Sequence, residues 1–188
     1  MKKIWIVLAV IAVIGFMAFS WYQSGFNTMI ALNEQVKSSW AQVENQLQRR
    51  FDLIPNLVNT VKGYAEHEKN LLTEVTRLRS QWAQAASVPE KVEAANALTG
   101  ALSKLLMVSE SYPNLKADQT FLKLMDELAG TENRIAVERM RYNESVKEFN
   151  ITVRRFPANI VAGMFGYKPA SEYFKAEEKA KTVPEVKF

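Results

Sequence analysis

The chain has no cysteine, which excludes disulfides, thiol nucleophiles and cysteine-ligated metals at the outset. It has a single histidine, His67, and Glu66-His67-Glu68 lacks the second histidine four residues on that a helical zinc-protease motif needs. A metal site built from His67 with Glu66 or Glu68 therefore has less to support it than a surface or packing role. There is no glycine-rich phosphate loop, and no spacing of serine, histidine and aspartate suggests a nucleophile with its base. Excess charge is missing too. Setting aside Lys2 and Lys3, 22 basic residues face 20 acidic ones, mixed along the chain as on a solvated surface and unlike a nucleic-acid footprint. Only seven glycines and six prolines interrupt 188 residues, as suits a chain of long helices. These absences lead us to expect no enzymatic activity, no cofactor, no bound metal and no nucleic-acid partner.

What is present begins with a hydrophobic run. Residues 4–22, IWIVLAVIAVIGFMAFSWY, carry no charge and are long enough as a helix to cross about 30 Å of hydrocarbon. Trp5 near one end and Trp21 with Tyr22 at the other supply interfacial aromatics. The competing reading is a cleaved signal peptide, with Lys2 and Lys3 as its basic head and Ala18-Phe19-Ser20 as its cleavage site, but the apolar run exceeds the usual length. Lys2 and Lys3 precede the span and no lysine or arginine follows until Lys37, so the expected topology is a signal-anchor in the cytoplasmic (inner) membrane. Its N-terminus lies in the cytoplasm and the bulk of the chain outside.

After a polar connector at residues 23–28, whose Asn27 is a candidate cap, a coiled-coil-like seam runs through Val36, Trp40, Val43, Leu47, Phe51, Ile54, Val58, Val61, Ala65, Leu72, Val75 and Trp82. Its phase survives Pro55, which predicts one helix over residues 28–86, roughly 85 to 90 Å long and kinked at Pro55; a reversal near residues 52–56 is the alternative. Ser87-Val88-Pro89-Glu90 marks a restart, and a second helix to about residue 111 follows with Val92, Ala95, Leu98, Leu102, Leu105 or Leu106, and Val108 on its stripe. Tyr112-Pro113 ends it and Asp118 is placed to cap the next.

The third long helix, residues 119–156, has the cleanest repeat: Phe121, Met125, Leu128, Glu132, Ile135, Arg139, Tyr142, Val146, Phe149, Val153 and Phe156. Two members are charged. Glu132 and Arg139 are expected to pair across the bundle with charges such as Arg49, Arg50, Asp52, Glu66, His67 or Glu68 and so fix its register; the alternative is that both rotate into solvent. Arg49 and Arg50 have a second reading as contacts to anionic head groups. Pro157 stops this helix, residues 158–165 form a short apolar piece, and residues 167–188 read as a strap along the bundle or a docking tail.

Four stretches together resemble the LemA family of bacterial membrane-anchored helical proteins: QLQRRFDLIPNLVNTVKGYAEHE at 46–68, YPNLKAD at 112–118, ELAGTENRIAVERMRYNESVKEFN at 127–150 and FPANIVAGMFGY at 156–167. With the span and the terminal PEVKF, the resemblance covers nearly the whole chain. It implies an all-α fold, an N-terminal transmembrane helix followed by an elongated antiparallel bundle of long helices, and no established enzymatic activity. It also implies a membrane-associated accessory protein: some relatives are encoded beside membrane metallopeptidases or TPM-domain proteins, and one takes part in magnetosome membrane formation. We therefore expect an anchor at 1–24, a LemA-like bundle at 25–166 and a tail at 167–188. The expected function is a non-enzymatic membrane-tethered scaffold or adaptor; the alternative is an accessory subunit of a membrane protease or quality-control complex. A helix as long as the first outruns the second, about 36 Å, and leaves Val36, Trp40, Val43 and Leu47 uncovered in a monomer. The expectation that follows is a homo-oligomer with those four residues at the subunit contact.

Overall fold

The structure, a computed structural model, describes residues 2–65, 67–170 and 173–174. The expectations for Glu66 and for residues 175–188 lie outside them. Every regular element among the described residues is helical: α1 (Lys2–Asp52), α2 (Ile54–Lys62), α3 (Lys69–Gln84), α4 (Val88–Ser109), α5 (Pro113–Lys116), α6 (Gln119–Arg154) and α7 (Ala158–Met164). The chain divides into two compact units. One comprises Met1–Trp40 with Arg141–Phe188, the other Ala41–Met140, and α1 and α6 contribute to both.

In the first unit, α1 is long and apolar enough to cross a membrane, and its residues 2–21 are exposed on every side. The expected connector at 23–28 does not interrupt it. Thr28 donates to the Ser24 carbonyl at 2.8 Å within the helix, and Gly25 serves close approach instead of a turn: a Cβ there would stand 3.3 Å from Val161 Cγ2 of α7. From Met29 onward α1 turns an apolar stripe inward. Met29 packs with Phe149 and Val153 of α6 and Ala162 of α7, and Leu32, Val36, Ala158, Tyr167 and Ala170 close around them. The α6 helix ends at Arg154, two residues short of Phe156, which is exposed and leaves the seam there. Gly166, at φ +72°, lets the chain turn out of α7.

In the second unit, Pro55 stands in the first turn of α2, where its missing N–H costs least. Leu53 before it keeps helical angles (φ −75°, ψ −21°), and Leu57 N–H bonds the Leu53 carbonyl at 3.1 Å, so the backbone does not turn back at this point. The reversal lies further on. The expected single helix to residue 86 ends at Lys62, and α3 begins at Lys69 and runs back: Phe51 at the end of α1 stacks on Trp82 near the end of α3, with ring centroids 4.7 Å apart. Gly63 starts the break, Ala65 is fully buried in it, and Tyr64 donates to Asp118 Oδ2 at 2.9 Å. The α4 helix packs closely on α3, and Asp118 caps α6 through Phe121 N–H at 2.8 Å. That bond and the Tyr64 hydroxyl hold the Asp118 carboxyl below the ordinary aspartate range.

The turn into α4 is a capping box. Glu90 N–H reaches Ser87 Oγ at 3.4 Å, while Glu90 Oε2 accepts from the N–H groups of Ala86 (2.9 Å) and Ser87 (3.1 Å). Those backbone donors lower the Glu90 pKa from its ordinary 4.5. A carboxylate lowered on folding adds stability above its unfolded pKa and loses it as the pH falls through the folded one. Ser87→Ala should cost about 1 kcal/mol in urea unfolding. The difference in urea midpoint between the wild type and Glu90→Gln should shrink as the pH drops below the carboxylate range.

Candidate functional site

The second unit buries a charge. Arg50, in the last turn of α1, is 3% exposed, pairs with Glu132 of α6 and donates from Nη1 to Thr99 Oγ1 of α4 at 3.1 Å. Thr99 in turn donates to the Ala95 carbonyl at 3.1 Å, so the hydroxyl is oriented to accept from the arginine. Arg50 Nε has no hydrogen-bond partner. Burial lowers the pKa of the guanidinium from its ordinary value, Glu132 opposes that, and the nearby Arg139 adds to it. Arg139 is held by Asn96 Oδ1 of α4 at 3.3 Å. The expected seam charges thus meet different helices: Glu132 reaches α1 and Arg139 reaches α4. Arg49 is exposed, whereas Arg50 is enclosed within the unit and has no access to a lipid surface.

Around this pair lie shorter-range links. Arg134 Nε donates to Gln46 Oε1 at 3.2 Å, and Lys91 pairs with Glu44 while standing 5.7 Å from the Trp82 ring centroid. Val43 and Leu47 are fully buried in this unit. Val36 and Trp40 belong to the other, where Val36 joins the Met29 cluster and Trp40 packs on Tyr142 (5.8 Å) and Phe174 (6.0 Å). All four are therefore covered to a large degree by their own chain, because the reversal after Lys62 and the length of α6 supply the neighbours that a single rod would lack. The premise that a second copy must cover them is removed.

Sequence reasoning missed the most specific contacts of the first unit. Asn150 of α6 donates to the Ala170 carbonyl at 2.8 Å and accepts from the Ala170 N–H at 2.7 Å. Seven residues earlier, Asn143 does the same to Phe174, at 3.0 and 2.9 Å. Each carboxamide satisfies both backbone groups of one residue, as a neighbouring strand would. Phe174 meets Tyr142 at 5.5 Å and Tyr173 accepts from Asn150 at 3.0 Å. The signal was available: two asparagines one heptad apart are poor helix formers, and a helix keeps such residues where their amides find a partner.

Among the described residues no three histidine, aspartate or glutamate side chains gather as metal ligands, and His67 is exposed. The arrangement defines a class: an all-helical protein whose N-terminal helix is long and apolar enough for a membrane. The model of the LemA family matches residues 39–188, and the chain belongs to that family. It is 27% identical to the magnetosome proteins MamQ 1 and MamQ 2 of Paramagnetospirillum magneticum, over 94% of this chain and 73% of each relative. It is 24% identical to Protein LemA of Metamycoplasma hominis, over 86% of this chain and 74% of that one. None of these names denotes an enzyme.

Replacing Glu132 by leucine strips a buried arginine of its counter-charge. Since the Glu132 side chain is 39% exposed, the loss should fall at the low end for such pairs, about 3 kcal/mol in chemical denaturation. Adding Arg50→Met should recover most of it, because an apolar pair of similar volume replaces both charges. For the strap, Asn150→Ala should raise amide exchange at Ala170 about tenfold or more, as expected for losing upward of 1.4 kcal/mol of bonding, with α6 protection retained.

Proposed function

We propose that the protein is a single-pass membrane-tethered adaptor that works by binding, without catalysis. In this reading residues 4–22 contact membrane lipid in the cytoplasmic membrane, Lys2 and Lys3 keep the N-terminus in the cytoplasm, and the remainder stands outside. The carrying observation is that α1 runs from Lys2 through the apolar stretch into the packed Met29 cluster as one helix, so no flexible linker separates anchor from domain. The helices are read as an antiparallel bundle, bent at Pro55 and reversed after Lys62, that offers a rigid surface to an envelope protein. A membrane protease is one such partner. Similarity to proteins named for the magnetosome supports a part in building or holding a cellular structure. With the seam covered by the chain itself, the adaptor is favoured over the self-assembling scaffold.

Light scattering of the full-length protein in mild detergent distinguishes the two. The adaptor reading expects a protein mass near 21.4 kDa, unchanged by Trp40→Phe. A large, uniform assembly would overturn it and reinstate the homo-oligomeric scaffold.

A further inference from the structure

The short helix α7 carries apolar side chains on its exposed as well as its buried surface. In ANIVAGM only Asn159 is polar. Val161 and Ala162 turn into the first unit, Ala158 packs beside them, and Phe165 just beyond the helix lies 4.3 Å from Phe26 and 5.9 Å from Tyr22 of α1. Ile160 and Met164, four residues apart and so on one face, point away from that core and are 49% and 66% exposed; Phe156 is 74% exposed. Single exposed apolar side chains are ordinary, but these three fall within nine residues of chain, beside a helix that has a full apolar complement on its inner side already. Apolar side chains clustered on the exposed surface of such a helix mark a contact with another apolar phase.

Its position names the occupant. Residues 4–22 of α1 make about 27 Å of helix, close to the thickness of a hydrocarbon layer, so Tyr22 and Phe26 mark where α1 leaves it. Phe165 sits against those two rings and Val161 against Gly25 between them, which places α7 at that level. Charge agrees. No acidic residue occurs between Glu148 and Glu172, whereas Arg154, Arg155 and Lys168 flank α7 and are all exposed. Apolar side chains at the level of the boundary with basic ones beside them form the pattern of an interfacial helix.

We propose that residues 154–168 form a second membrane contact: Phe156, Ile160 and Met164 enter the boundary between acyl chains and head groups beside the exit of α1, while Arg154, Arg155 and Lys168 meet anionic phosphates. The proposal rests on the reading of α1 as a membrane span and adds to it a surface that fixes the first unit against the bilayer.

The absence of cysteine allows single labels in the full-length protein. Spin labels at Ile160→Cys and Met164→Cys, with Val13→Cys in the span and Ser111→Cys in the second unit as references, are read in nanodiscs of phosphatidylcholine and phosphatidylglycerol. Oxygen and a water-soluble nickel chelate serve as collision partners. The expected result is loss of nickel access and gain of oxygen access at 160 and 164 relative to 111. Nickel access at 160 and 164 equal to that at 111, with 13 protected, overturns the proposal and leaves the span standing. Nickel access at 13 overturns the span itself. Shielding of 160 and 164 from both reagents shows a protein cover, a second copy or another chain, and overturns the lipid contact. Arg154→Gln with Arg155→Gln should make the labels shallower only when phosphatidylglycerol is present, and an unchanged depth would overturn the phosphate contact.

Discussion

On the proposed reading, one helix has to satisfy two surroundings, lipid and water. Along α1 the backbone is the same 51-residue repeat of hydrogen bonds, yet its side chains are apolar in every direction up to Tyr22 and apolar on a stripe alone from Met29 onward. In lipid a helix can expose apolar groups all round because its backbone polar groups are satisfied internally. In water the same exposure is costly, and stability comes from burying one stripe against partners. On the proposed reading of α1 as a span, the first unit is built where these two regimes meet. Gly25 thins the helix for the approach of α7, Tyr22 and Phe26 offer rings to Phe165, and Met29 opens the packed core four residues after Gly25.

The second unit depends on a different constraint, the presence of a guanidinium inside it. A buried charge gains little net stability even when paired, because desolvation offsets much of the attraction. What Arg50 does supply is geometry. It must meet Glu132 on α6 and Thr99 on α4 together, and a slide of α6 by one heptad would bring Arg139 or Met125 to face it instead. Apolar seam residues are poor at rejecting such slides, since leucine packs against leucine in more than one register. Through one side chain Arg50 thus joins three helices, α1, α4 and α6.

The alternation of steps of three and four made α6 legible in the sequence: every seam residue from Phe121 to Val153 is buried or partly so, including the two charged ones. The restart at Ser87 and the Asp118 cap were legible for the same reason, since caps are local chemistry; the part of Glu90 in a capping box was not read. The reversal after Lys62 was not. The seam could be counted across it because Ala65 is buried inside the turn and keeps the phase, and the count then steps from Ala65 to Leu72 with Glu68 and Lys69 in the gap. That gap, with Gly63 before it, was the available signal. Pro55 drew attention away from it, though a proline in a first turn is a helix starter. The Arg50–Glu132 pair was within reach of spacing arguments, but the part played by Thr99 was not, because nothing local in sequence says which helix a third partner comes from.

The contacts that hold the strap were less legible than the strap itself, for a further physical reason. Asn143 and Asn150 recognise the backbone of Phe174 and Ala170, and a backbone has no sequence signature. Such pairing fixes the path of the chain at Ala170 and Phe174, and side chains add to it: the Tyr173 hydroxyl accepts from Asn150, and the ring of Phe174 packs on Trp40 and Tyr142. Trp40 is therefore packed both by Phe174 of this segment and by Tyr142 of α6. A seam residue that looked like an unfilled subunit contact is filled by the C-terminal part of the same chain, and the physical difference between the two is that the covering segment is tethered, present at high effective concentration and hydrogen-bonded through its backbone.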